Sequence, residues 1–319
     1  MKKSFIPLVA VLLFSCTYAP AQEDKEQERE RRRAQSAAER EERRIARFNE
    51  KYPEQFRDHI SKEFTVAKTT SGVLAIYNLD GFIKVEGYAG DKITIEIDRT
   101  ISAKDKERLE MGKSEVQLKF EQIGDSVIAY LLEPVDTRPH DWRDRGNWNN
   151  NRNIEYNCTL HYTVKVPNNL NLRISTVNNG DVDVKNVTGV LNVGNVNGAI
   201  SIYNAKGTTN AHTINGDLTV TYASNPPESS SFNTLNGKLT AVFQPNLSAD
   251  LQFKSMNGAF YTDFDNTQLL PAVITKNQEK RGDGTVYKLN KDTKLRVGAG
   301  GKQFKFETLN GNIYIKKQS

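Results

Sequence analysis

From Phe64 onward, apolar and polar residues alternate with a period of two, the pattern of strands that bury one face. Val73-Leu74-Ala75-Ile76-Tyr77, Phe82-Ile83-Lys84-Val85 and Ile93-Thr94-Ile95-Glu96-Ile97 predict strands, parted by Asp80-Gly81 and Gly90-Asp91. A charged stretch, Ala103 to Met111, suits a short helix or a loop, and Val116 to Phe120 and Val127 to Leu132 then resume the alternation. Residues 133–153 lose periodicity, are rich in Pro, Asp, Arg, Asn and Trp, and predict a long exposed loop. A further strand is expected from Tyr156 to Val166, ending at Pro167-Asn168-Asn169.

Beyond Pro167 the chain copies itself. Asn-Gly followed by alternating apolar residues occurs at Asn179-Gly180, Asn197-Gly198, Asn215-Gly216, Asn236-Gly237, Asn257-Gly258 and Asn310-Gly311. With Gly189 and Gly207 the early glycines fall at steps of nine residues. A fixed step with a turn glycine and inward residues on alternate positions predicts short strands stacked so that neighbours share a core no single repeat could form. Val182, Val184, Ile200, Ile202, Leu218 and Val220 are the expected inward residues. The later steps lengthen to 21 residues, and the 53-residue gap from Gly258 to Gly311 holds an excursion, Leu269 to Asp292. The fold class expected is all-β, a β-solenoid or β-roll-like stack with about nine residues per strand-turn unit.

The N-terminus alters the picture. Lys2 and Lys3 precede an apolar stretch, Phe5 to Phe14, and Ala19-Pro20-Ala21 before Gln22 is a secretory cleavage pattern. Leu13-Phe14-Ser15-Cys16 offers a second reading, a lipobox that would leave Cys16 acylated as the first mature residue. Either way the protein is expected to be exported, to the periplasm, the outer membrane surface or the medium, with a membrane attachment only through Cys16. Residues 22–60 follow as a charged, partly helical spacer: Glu, Arg, Gln and Ala dominate, with pairs such as Glu26–Arg29 and Glu39–Arg43, and no apolar seam for a coiled coil. The organisation expected is thus a signal at 1–21, the spacer, a β region at 61–166 with the exposed loop, and the Asn-Gly repeats at 167–319.

Charge excludes one class of function. Of the formal +5, the signal carries +2, and Glu23 to Arg47 hold nine basic and eight acidic groups. The remaining 33 basic and 31 acidic residues form no basic stripe, so a nucleic-acid partner is not expected. Cys158 is the one thiol of the body and cannot form an internal disulfide. His59, His140, His161 and His212 form no ligand pattern, and Cys158 and His161, three apart on a strand, point to opposite faces. Calcium ladders need carboxylates at each turn, whereas the residue after Asn-Gly varies among Asp181, Ala199, Asp217, Lys238, Ala259 and Asn312. No nucleophile motif or phosphate loop occurs. No cofactor, metal or catalytic residue is expected, and the repeated asparagines are accounted for by an internal ladder of turn side chains.

The segment Ile76-Tyr77-Asn78-Leu79-Asp80-Gly81-Phe82-Ile83-Lys84-Val85, the segment Tyr162-Thr163-Val164-Lys165-Val166-Pro167 and the Asn-Gly repeats together resemble the bacterial putative-adhesin family of unknown function with β-strand repeats, related to head GIN domain proteins. The resemblance covers Phe64 to the end and implies an envelope location without an activity. The function expected is a non-catalytic cell-envelope or secreted binding or structural module; the alternative is a carbohydrate-active enzyme on a β-helix scaffold. Period-two geometry turns Ser201, Tyr203, Thr219, Thr240, Tyr261 and Tyr314 outward. Tyr203, Tyr261 and Tyr314 are the candidate contacts for a cell-surface glycan or an envelope protein.

Overall fold

The computed structural model describes residues 42–139, 154–281 and 284–318, with positions 28, 32, 35, 36 and 39; side chains of 272–292 are not described. The signal, Cys16 and residues 140–153 of the expected loop lie outside these residues. The chain divides into two units, Met1–Pro53 and Glu54–Ser319. The first is helical where described as far as Lys51, and α1 occupies residues 42–51. Arg32 pairs with Glu28 at 2.6 Å and Arg43 approaches Glu39 at 4.0 Å, the i,i+4 contacts its composition calls for.

Among its described residues the second unit is all β apart from one helix. It opens with β1 (Glu54–Thr65), β2 (Val73–Tyr77), β3 (Ile83–Tyr88), β4 (Lys92–Ala103), helix α2 (Lys106–Glu115), β5 (Gln117–Ile123), β6 (Ser126–Glu133) and β7 (Tyr156–Pro167). The carboxylate of Asp105 caps α2 by accepting the Arg108 N–H at 3.0 Å. The repeats supply β8 (Asn171–Ser175), β9 (Val182–Lys185), β10 (Leu191–Gly194), β11 (Ile200–Ala205), β12 (Thr209–Asn215) and β13 (Leu218–Tyr222). They continue as β14 (Ser230–Asn236), β15 (Leu239–Phe243), β16 (Ala249–Asn257) and β17 (Phe260–Thr262). A long antiparallel hairpin, β18 (Thr267–Arg281) with β19 (Gly284–Val297), fills the expected excursion before β20 (Lys302–Asn310) and β21 (Ile313–Lys317).

Two large sheets result. The first, of ten strands, runs β1-β4-β7-β3-β9-β11-β13-β15-β21-β17, and the second, of eleven, runs β18-β19-β16-β20-β14-β12-β10-β8-β2-β6-β5. Within the repeats every pairing is parallel, and consecutive strands alternate between the sheets, so each coil of chain adds one strand to each. Val182, Ile200 and Leu218 lie side by side, as do Val184, Ile202 and Val220, and all six are at most 1% exposed. The expected register of the core is therefore the observed one.

Two expectations need correction. The β region begins at Glu54 rather than 61, taking residues 54–60 from the spacer. Strand β1 was hidden because Asp58 and Lys62 share the alternate positions of Phe56, Ile60 and Phe64; Asp58 is matched there by Arg99 of β4, at 2.6 Å. Secondly, coils do not stack in chain order. The last coil, β20–β21, lies between β14–β15 and β16–β17, and at the other end β2–β3 lies between β6–β7 and β8–β9. The repeat glycines are not required by positive φ, which in the Asn-Gly pairs occurs only at Asn179. They are required by proximity: a Cβ on Gly216 would stand 2.1 Å from the Gly198 carbonyl oxygen of the neighbouring coil.

The Asn-Gly corner is a hydrogen-bonded spine. Amide nitrogens donate along one line, from Asn215 to Asn197, Asn236 to Asn215, Asn310 to Asn236 and Asn257 to Asn310, at 2.7–2.8 Å. Two residues earlier, the inward hydroxyls of Thr213 and Thr234 donate to the carbonyls of Gly198 and Gly216, each at 2.8 Å. One residue after the glycine, Asp181 and Asp217 accept the backbone N–H of Ala199 and Lys238, each at 2.7 Å. Asp181 thus holds the next coil in place. The expected asparagine ladder is present, and buried polar groups at this corner are satisfied from coil to coil.

Candidate functional site

Outside the core, successive strands of the ten-stranded sheet bring like positions into rows. Ser201, Thr219, Thr240, Tyr314 and Tyr261 form one such row, each directly beside the next. The row ends in a stacked pair: the rings of Tyr261 and Tyr314 are 4.9 Å apart and inclined by 10°. The ammonium of Lys316 stands 5.9 Å from the Tyr314 ring centroid, and Asn312 donates to the Tyr314 hydroxyl at 3.2 Å. A shallow cavity of about 180 Å³ is lined by Tyr261, Thr262, Asp263, Tyr314, Ile315 and Lys316. Asp263 also accepts the Lys317 N–H at 2.6 Å, which fixes the carboxylate at the rim.

Tyr203 does not belong to this group. It pairs with Lys185 in the next outward row, and its ring carries the Lys185 ammonium at 5.8 Å. Strands β13 and β15 separate it from Tyr314, about 14 Å at the usual strand spacing. The strip of three tyrosines expected from periodicity is therefore a pair plus a separate residue. Period two places a side chain on a face, but its distance from the corner glycine sets the row: Tyr203 stands five residues after Gly198, whereas Tyr261 and Tyr314 stand three after Gly258 and Gly311.

Toward the other end the same face is charged. Lys84, Glu86, Thr163, Lys165, Asp183 and Lys185 surround a second concavity of about 370 Å³. Further along, His59 bridges Asp98 through Nδ1 at 2.8 Å and Glu96 through Nε2 at 2.7 Å, while Ser61 donates to Glu96 at 2.7 Å. The two carboxylates raise the imidazole pKa above its ordinary value, the Asp98 hydrogen bond most.

Two further titratable groups, Cys158 and His161, are packed into the fold. Burial pushes the Cys158 thiol up to about 12, which leaves it protonated and unreactive at neutral pH. Burial lowers the His161 pKa, its ring stacks on Phe82 at 4.3 Å, and its Nδ1 accepts the Phe82 N–H at 3.2 Å. It is a half-buried packing residue. Among the described residues no group of three or more His, Cys, Asp or Glu could hold a metal ion, and no helix is long and apolar enough to cross a membrane.

No protein-family model matches the chain, and no curated protein matches it. Among solved structures it is similar to a "putative cell adhesion protein" from Clostridium sporogenes, at 10% identity over 82% of this chain and 100% of that one, with a TM-score of 0.42. It is also similar to a "putative adhesin" from Bacteroides fragilis, at 11% identity over 82% and 97%, TM-score 0.32. A third, a "putative lipid binding protein" from Parabacteroides distasonis, has 8% identity over 82% and 97%, TM-score 0.24.

Proposed function

We propose that the protein is a non-catalytic binding module of the bacterial cell envelope, exported by its N-terminal signal and built as a two-sided β-solenoid. The Ser201–Tyr261 row is its contact surface, and the stacked Tyr314–Tyr261 pair is the observation that carries this reading. Two parallel rings with an adjacent ammonium and a fixed carboxylate offer a rigid apolar platform with polar handles at its edge. That chemistry suits a sugar ring or a loop of an envelope protein, approached by the neutral hydroxyls of Ser201, Thr219 and Thr240 along the same row. Tyr203 takes no part. The test is a glycan array and an envelope pull-down with the Tyr261→Ser/Tyr314→Ser double variant beside Tyr203→Ser. Capture is expected to fall at least tenfold in the double variant and to persist in Tyr203→Ser. Undiminished capture by a double variant of unchanged thermal stability would overturn the reading.

A further inference from the structure

An asparagine followed by glycine carries a reaction within its own two residues. The glycine nitrogen, unhindered by a neighbouring side chain, loses its proton to the solvent and attacks the asparagine Cγ when the two atoms are brought together. The tetrahedral adduct expels ammonia and leaves a cyclic imide, and a water molecule then opens the ring at either carbonyl. The product is aspartate, or isoaspartate with the main chain rerouted through Cγ. The repeats place six such pairs in this chain, and all six asparagines are exposed to water. What distinguishes them is the hydrogen bonding that must be undone before nitrogen and carbon can meet.

Inside the spine three bonds hold each pair. Asn215 donates to Asn197 and accepts from Asn236, while the Gly216 N–H donates to the Asn236 backbone carbonyl at 3.1 Å. Asn236 and Asn310 repeat the arrangement, with the Gly237 N–H on the Asn310 carbonyl at 3.1 Å and the Gly311 N–H on that of Asn257 at 3.2 Å. Each of these glycine nitrogens points at the next coil, so attack on Cγ requires its bond and both side-chain bonds to break. At the far end of the line Asn197 is held on both sides, by Asn178 at 2.9 Å and Asn215 at 2.8 Å. Asn179 stands at φ 54° with its amide on the Asp80 carboxylate at 2.6 Å.

Asn257-Gly258 differs. It joins β16 to β17, and no further corner lies beyond it: β19 pairs with β16 only from Ala249 to Phe253, and β17 ends its sheet. The Asn257 amide keeps one bond, to Asn310 at 2.8 Å. Among the described residues nothing donates to its side-chain oxygen, and the Gly258 N–H has no acceptor. Gly258 is also exposed, whereas the glycines of the other five pairs are half-buried. We propose that Asn257 is a site of spontaneous deamidation in the folded protein, and that the spine protects Asn215, Asn236 and Asn310 from the same reaction. The Asn257 side chain swings over its own backbone by giving up one hydrogen bond, against three at each protected pair. The product puts a carboxylate where Asn257 donated, so Asn310 loses one of its amide partners and the terminal coil gains a negative charge.

Peptide mapping by mass spectrometry tests it on the purified chain, kept folded in mildly alkaline buffer and sampled over weeks. Asn257 is expected to convert to aspartate and isoaspartate at least about tenfold faster than Asn215, Asn236 and Asn310, a ratio set by the two further hydrogen bonds that each of those pairs must break. In urea, where the spine is dissolved, the four rates are expected to agree within about threefold, because the same dipeptide then reacts in an open chain. Asn257 reacting no faster than the other three in the folded chain would overturn the proposal, since the spine would then give no protection. A lead of Asn257 that persists undiminished in urea would overturn it too, by showing that flanking residues rather than the end of the spine set the order. The wild-type chain serves in both arms, so no substitution can confuse a lost site with a lost fold, and the result does not depend on the tyrosine pair.

Discussion

At the scale of single residues, the Asn-Gly corner is crowded rather than contorted. Glycine is needed because the next coil's backbone occupies the space of a side chain, and the same approach recurs at Gly237, where a Cβ would meet the Gly216 oxygen at 2.0 Å. Gly216→Ala should force two coils apart and destabilise the protein by about 1–3 kcal/mol, the usual range for overpacking. Urea unfolding measures it, and a loss under about 0.5 kcal/mol, the level of a neutral surface change, would mean that the corner relaxes freely. Much of this scale was legible in the chain: the nine-residue step marked the inward residues Ile200 and Val220 and the asparagine ladder. The exposure of Ile214 and Leu235 was not, because they follow Thr213 and Thr234 in antiphase to the core pattern. Their outward direction emerges only once the threonines are seen bonding inward to glycine carbonyls.

Among the elements, the edge strand β1 depends most on solution conditions. It is held to β4 by polar contacts on its outer face, His59 with Asp98 and Glu96 and Lys92 with Glu63. The hydrogen bonds from Ser61 and His59 lower the Glu96 pKa, while the two carboxylates raise that of His59. Stabilisation by His59 is fully present below its ordinary value of 6.5 and is lost as pH rises through its raised pKa in the fold. Stabilisation by Glu96 is present above its ordinary value of 4.5 and is lost as pH falls through its depressed pKa. The melting temperature of His59→Gln should fall furthest below the wild type in mildly acid solution, and the gap should close in alkali. A gap independent of pH would contradict this. The sequence did not disclose β1 itself, since charged residues stand on both of its faces, and charges on alternate inward positions erase the period that betrays other strands.

For the molecule as a whole, the repeat count was legible and the order of coils was not. Asn310-Gly311 is chemically equivalent to Asn257-Gly258, so no local preference says which of the two coils stands next to β14–β15. Packing decides it: Phe306 stacks on Phe232 at 5.1 Å and on Phe253 at 5.4 Å, a link that Phe253 alone could not make. Removal of residues 302–319 should therefore cost more than one terminal repeat. Hydrogen exchange is expected to rise sixfold or more across β16 and β19 as well, while β9 to β13 keep their protection. Protection of β16 unchanged by the deletion would contradict the interleaved arrangement.

That interleaving also governs timing. A chain made from its amino end completes β14–β15 at Phe243, yet the segment that settles against it begins only at Lys302. The intervening turn and hairpin must wait, with Phe253 and Phe260 uncovered, for a long-range closure whose entropy cost grows with the loop already spun out. Assembly at this end is a latch that shuts once Lys302–Lys317 arrive, not a zipper that follows synthesis.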